Sequence, residues 1–147
     1  TALAQDFFNF RYKTAYPNNP QLSYGMAGSY DIAYMIAYAA AASKGAKVDG
    51  TTLAKNMAQL VGGTQVIDVG PQSLTQGMQA MVNGAKTDFN GASGPLNFDL
   101  ASGEAPSDYT IWCVGIDPNT TKPIFNDATG QVYSAVDNKI TGTYSCN

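Results

Sequence analysis

Residues 88–114, DFNGASGPLNFDLASGEAPSDYTIWCV, set out a glycine turn, two short strand-like runs and a polar connecting loop in a distinctive order. Gly91 and Gly94 permit backbone angles that a side chain disfavours, and Pro95 stiffens the exit from the turn. Beyond it Leu96 and Phe98 alternate with polar Asn97 and Asp99, the period of a half-buried strand whose register the turn sets. After the polar loop 100–108, the run 109–114 (YTIWCV) is aromatic and β-branched, which predicts a strand buried on at least one face.

Upstream the pattern is helical. Leu3, Phe7 and Phe10 fall at helical spacing with Phe8 and Tyr12 flanking, so residues 2–15 read as a helix stopped by Pro17. In SYDIAYMIAYAAAA, residues 29–42, Ser29 is the expected N-cap and Asp31 lies in the first turn, where a carboxylate favours the helix dipole. Tyr30, Tyr34 and Tyr38 repeat every four residues on one face, while Ala33, Ala37, Ala40 and Ala41 leave another face flat enough for close packing. The helix is expected to end near Lys44 and Gly45. A third helix follows from Thr51 or Thr52 through Leu53, Met57, Leu60 and Val61, closing at Gly62 and Gly63. Residues 65–69 then read as a short strand, and 73–83 as a fourth helix carrying Leu74, Met78, Met81 and Val82, weakened by Gly77 and ended by Gly84. The chain thus divides into a mainly helical part, 1–86, and a part of strands and turns, 87–147, with corners at Pro118-Asn119, Asn126-Asp127 and Thr129-Gly130.

This order resembles the C-terminal third of the type I periplasmic binding proteins, the branched-chain amino acid and amide receptor family. The resemblance rests on Tyr30 and Asp31, with Ile32 where the family usually has Ala, and on Gly91, Gly94, Leu96, Phe98, Asp99, Gly103 and Glu104, which follow the pattern G-x-x-G-x-(L/I)-x-F-D-x-x-x-G-(E/D). The opening DFFNFRYKTAYPNNPQ, residues 6–21, is similar to the F-x-x-x-Y-x-x-x-Y-P helix that precedes the tripeptide. The match runs from about Ala2 to Val114, although 62–86 is longer than in the simplest members. It implies an α/β, periplasmic-binding-protein-like fold, of which this chain is the C-terminal portion with about four helices followed by strands. It also implies a two-lobed, non-catalytic receptor whose remaining N-terminal part is the first partner, with a small polar solute as ligand and an ABC permease or a sensor downstream. Such a receptor is periplasmic or extracellular, with any membrane anchor in a part outside this chain.

Composition bounds the same reading. One domain of 147 residues buries roughly 70% of its unfolded surface. A 44% hydrophobic and 13% charged composition argues against disorder and favours an extracytoplasmic setting. Eight Lys and Arg and a net charge of −3 leave no basic stripe for phosphates, so nucleic acid is excluded as a partner. The apolar stretch 32–42 is about half the length of a membrane-spanning helix. There is no His, which removes the commonest general base and the commonest metal ligand, and no phosphate-binding glycine loop occurs. No enzyme activity, metal or cofactor is expected. Asp99 with Glu104, and Asp117, Asn119, Asn126 and Asp127, are better explained by turn chemistry than by a catalytic pair or a calcium loop. Asn119-Thr120-Thr121 matches a glycosylation acceptor, a triplet common by chance.

Two cysteines remain. Cys113 lies in the expected strand and Cys146 next to the C-terminal residue, so a bridge between them fastens the tail to the sheet, worth about 3–4 kcal/mol in the chain-entropy account. The alternative is a free buried Cys113 and an exposed Cys146. The candidate ligand-binding residues are at the start of the tyrosine helix, where unpaired N–H groups suit an anionic group. The resemblance places this end at the cleft, which selects Tyr30 with Ser29 and Asp31 beside it. For Tyr34 and Tyr38 a packing stripe is the expected role, and Trp112 is expected in core or lobe packing. The rival to the receptor reading is a structural or interaction module of a secreted or surface assembly, with no small-molecule ligand of its own.

Overall fold

The hydrophobic spacing that predicts four helices is realised in a computed structural model, which describes residues 2–19, 22, 25–126, 129–135 and 137–146. The protein is mixed α/β and forms two compact units, Thr1–Ala105 and Pro106–Asn147.

The first unit holds the four α-helices found among the described residues: α1 (Ala2–Ala15), α2 (Met26–Ala41), α3 (Gly50–Met57), continued by a 3-10 turn at Ala58–Leu60, and α4 (Leu74–Val82). Asp49 starts α3, its carboxylate accepting from the Thr52 N–H and hydroxyl, both at 2.9 Å. Strands β1 (Gln65–Asp68) and β2 (Thr87–Gly91) pair in parallel, joined through α4 as a β-α-β crossover. A third strand, β3 (Gly94–Pro95), turns back antiparallel on β2, giving the order β1-β2-β3. Parallel strands need both faces managed, and on one face α2 and α4 supply the cover. Met35 and Tyr38 of α2, Leu60, Ile67, Val69, Phe89, Leu96, and Ala80 and Met81 of α4 form one core. The Tyr38 ring stacks on Phe89 with centroids 4.5 Å apart. Each large side chain buried this way contributes about 1.5–3 kcal/mol. Asn56 binds α3 to the end of α2 by donating to the Ala39 carbonyl at 2.8 Å and the Ser43 hydroxyl at 3.1 Å.

Three expectations change in this unit. The helix at α2 starts at Met26, behind Gly25 in the left-handed region at φ 82°, and not at Ser29. Its buried residues are Asp31, Met35, Tyr38 and Ala39, so the alanine stripe is only partly packed: Ala33 is exposed, Ala37 and Ala40 are half-buried, and Ala41 packs against the core. Residues 96–99 are not a strand: the hairpin pairs only as far as Pro95, although Leu96 is buried and Phe98 half-buried as the alternation requires.

The second unit has two small antiparallel sheets. Strands β4 (Tyr109–Thr110), β7 (Val132–Ser134) and β8 (Lys139–Thr141) pair in the order β4-β7-β8, and β5 (Cys113–Ile116) pairs with β6 (Pro123–Asn126) as a two-stranded ribbon around the turn at 118–120. Cys113 and Cys146 are bonded, 33 residues apart. Thr129, the one buried residue among those described in this unit, donates its hydroxyl to the Ile111 carbonyl, and its own carbonyl accepts from the Ser145 N–H at 2.9 Å. The disulfide and these bonds occupy the place of a hydrophobic core, as in other domains of this size.

The expected single strand at 109–114 is two strands in different sheets, interrupted at Ile111 and Trp112. It is not buried. Trp112 is 56% exposed and meets Phe125, 78% exposed, edge-on at 5.1 Å. Val114 and Ile116 point to the same side as their cross-strand partners Phe125 and Pro123, so one face of the ribbon is apolar and open. The corner at Asn126-Asp127 falls partly outside the described residues, since Asn126 closes β6 and Asp127 is not described.

Candidate functional site

The start of the tyrosine helix separates its three candidate residues into different roles. Ser29 lies inside the first turn, its N–H donating to the Gly25 carbonyl at 2.9 Å in ordinary helical fashion, with its side chain exposed. Glycine tolerates the left-handed angle that closes the preceding loop, so the helix begins before the better capping residue. Ser29 is therefore an ordinary residue of the helix's first turn and offers no cap.

Asp31 points inward and is 1% exposed. One carboxylate oxygen accepts from the Ala92 N–H at 2.8 Å; the other accepts from the Ser93 N–H at 2.8 Å and the Ser93 hydroxyl at 2.6 Å. The carboxylate thus caps the two-residue turn between β2 and β3 from 61 residues away. Gly91 is what lets it approach, because a β-carbon there would lie 2.4 Å from a carboxylate oxygen. Both oxygens are committed to the fold, which removes Asp31 from the groups open to a ligand.

Tyr30 lies between α1 and the rest of α2. Its ring meets Phe8 at 5.0 Å and Tyr34 at 4.9 Å, and its hydroxyl donates to the Tyr34 hydroxyl at 3.3 Å. Burial, followed by the Tyr34 contacts, pushes the Tyr30 phenol well above its ordinary range, while the positive charge of Arg11 pulls the other way. Tyr30 therefore stays a neutral phenol at physiological pH. Six ring contacts connect Tyr16, Tyr12, Phe8, Tyr30, Tyr34, Tyr38 and Phe89, from the surface of α1 to the core.

Beside Tyr30 runs an open groove of about 520 Å³, lined by Phe8, Phe10, Arg11, Tyr12, Thr14, Ala15, Tyr16 and Tyr30. Among the described residues its walls are mainly aromatic, with Thr14 and Ala15, and the one charged group on it is Arg11. A shallower hollow of about 330 Å³ lies on α1 over Leu3, Asp6, Phe7 and Phe10. Of the candidate residues only Tyr30 lines the groove; Ser29 and Asp31 do not. The spacing Phe8, Arg11, Tyr12, Ala15, Tyr16 is a helical stripe, i to i+8, and was the available signal for the groove. Reading α1 for its core face instead passes over it.

The other polar groups have local duties. Asp99 accepts from the Ala101 and Ser102 N–H groups, which hold its carboxyl below the usual range, and its own N–H donates to the Glu104 carbonyl. Asp117 is held low in the same way by the Thr120 hydroxyl and the Asn119 N–H. Among the described residues no three His, Cys, Asp or Glu side chains gather as a metal site, and no helix is long and apolar enough to cross a membrane. Comparison of the chain with protein-family models, curated proteins and solved structures gave no match.

Proposed function

We propose that the chain is a non-catalytic part of an extracytoplasmic solute-binding receptor, helping to form a two-lobed cleft for a small polar ligand of the amino acid or amide type. One observation carries this reading. The Tyr30-Asp31 helix and the Gly91–Gly94 turn, whose residues supply the family resemblance, meet in space through the Asp31 carboxylate and the approach that Gly91 permits. That contact supplies one physical reason for both motifs, which supports treating them as a single signature and not as two chance matches. In this reading the partners are the N-terminal part of the same receptor, the solute, and an ABC permease or sensor that receives it. The Cys113–Cys146 bridge suits a periplasmic or extracellular location.

A second reading, a structural or interaction module of a secreted or surface assembly, draws on the open apolar faces at Leu3, Phe7 and Phe10 of α1 and at Trp112, Val114, Ile116 and Phe125. Native and denaturing mass spectrometry of the protein as isolated separates the two, since the chain alone weighs 15.5 kDa. The receptor reading expects a larger polypeptide released on denaturation, and a complex whose melting temperature rises with one member of an amino acid and amide panel. A lone chain, or a clean multiple of it, that no panel member stabilises would replace it with the assembly module.

A further inference from the structure

We propose that the groove beside Tyr30 is a binding site for a small planar carboxylate, with Arg11 taking the carboxylate and the rings of Phe8, Tyr12, Tyr16 and Tyr30 taking the body. The assignment rests on the receptor reading for its setting and goes beyond it in naming the ligand's chemistry.

Arg11 is exposed at the groove, and among the described residues no carboxylate lies within ion-pair distance of it. Among the described residues no acidic side chain lines the groove. Asp31, the nearest in sequence to Tyr30, has both oxygens occupied by Ala92 and Ser93. In a chain of net charge −3, an unpaired guanidinium in an acid-free groove favours an anion and disfavours a cation. A guanidinium holds a carboxylate through two parallel N–H bonds, which a neutral amide cannot reproduce.

The volume of about 520 Å³ is in the range of small-ligand sites. Phe8 and Tyr12 of α1 and Tyr16 just beyond its end succeed one another with centroids 6.2 and 4.9 Å apart, and Tyr30 closes on Phe8 from α2. Such a row presents ring surface to a flat body by offset stacking. The Tyr30 hydroxyl is already engaged with Tyr34, so Tyr30 contributes its ring. Arg11 and Tyr30 line the same groove, so the charge and the ring are open to one ligand.

Fluorine NMR of para-fluorobenzoate added to the protein as isolated tests this, with para-fluorobenzamide as the neutral comparison. The expected result is a shifted and broadened benzoate signal, an affinity for the amide weaker by about tenfold or more, loss of that preference in Arg11→Gln, and a reduced preference in Arg11→Lys, which keeps the charge but not the paired N–H bonds. Equal binding of acid and amide, or an unchanged preference in Arg11→Gln, overturns the assignment, as does the absence of any benzoate binding. A panel amino acid or amide that stabilises the wild type and Arg11→Gln equally keeps the receptor reading while removing Arg11 from it. Benzoate binding that depends on Arg11 in a chain with no receptor partner keeps the site and removes the receptor.

Discussion

The Tyr38 ring covers Gly77 so closely that a β-carbon at position 77 would lie 2.6 Å from ring atom Cε1 and 2.9 Å from the hydroxyl oxygen. Helix α4 crosses α2 at this point, and the missing side chain is what admits the ring. Gly77→Ala should therefore destabilise the first unit by up to about 2 kcal/mol, because overpacking of about 1–3 kcal/mol is set against the roughly 1 kcal/mol that alanine gains in a helix. Urea denaturation followed by far-UV circular dichroism checks the sign. A stabilised variant would show that the ring is not held there.

The hydroxyl of the same tyrosine is buried without a hydrogen-bond partner among the described residues. Tyr38→Phe keeps the stack on Phe89 and removes the unpaired group, so a gain of about 1 kcal/mol is expected in the same assay. Burial, with a smaller effect of Tyr34, pushes the Tyr38 phenol up to about 12 from 10.0. The folded state thus holds the proton more tightly than the unfolded state. Its contribution is complete below pH 10.0 and is lost as pH rises towards about 12. Melting temperature across this alkaline window should fall less steeply in Tyr38→Phe than in the wild type, with Tyr30, raised in the same direction, retaining part of the slope.

Asp31 is expected to be the most sensitive polar position in the first unit. Asp31→Asn preserves shape but turns an amide N–H₂ towards donors at Ala92 or Ser93, leaving two donors facing each other in a buried site. The cost is about 2–4 kcal/mol. Ser93→Ala removes only the hydroxyl bond and should cost about 1 kcal/mol. Equal effects in chemical denaturation would mean that the backbone N–H bonds contribute little.

The range of the interactions decides which elements are legible in the sequence. Helix α1 and the strand at Gln65 were legible because apolar spacing and β-branched residues act locally. The start of α2 was not, because the preference of Ser29 for capping is weaker than the freedom of Gly25 to turn the chain earlier. Asp31 reads as a helix-dipole residue until Ala92 and Ser93 are brought to it, a contact no local pattern encodes. Trp112 and Val114 have strand composition, but composition does not tell which face another layer covers. Of the candidate site, Tyr30 was found through its place in a motif, whereas Arg11 was hidden in a helix read only for its core face.

The disulfide should decide whether the second unit is folded at all. Among its described residues only Thr129 is buried, and the tail is held by the Cys113–Cys146 bridge, the Ser145 bond to Thr129 and the close passage of Gly142 over the Gly130 carbonyl. A bridge closing a loop of this length is worth about 3–4 kcal/mol, comparable to the whole stability such a small unit can reach without a core. Reduction, or the double change Cys113→Ser and Cys146→Ser, is expected to unfold residues 106–147 while the first unit keeps its helices. Trp112, the one tryptophan of the chain and the neighbour of Cys113, provides the readout. Its edge contact with Phe125 should be lost, with a loss of near-UV circular dichroism and rapid amide exchange through β4 to β8. Retained near-UV signal and slow exchange after reduction would show that strand pairing and the Thr129 bonds sustain the unit without the bridge.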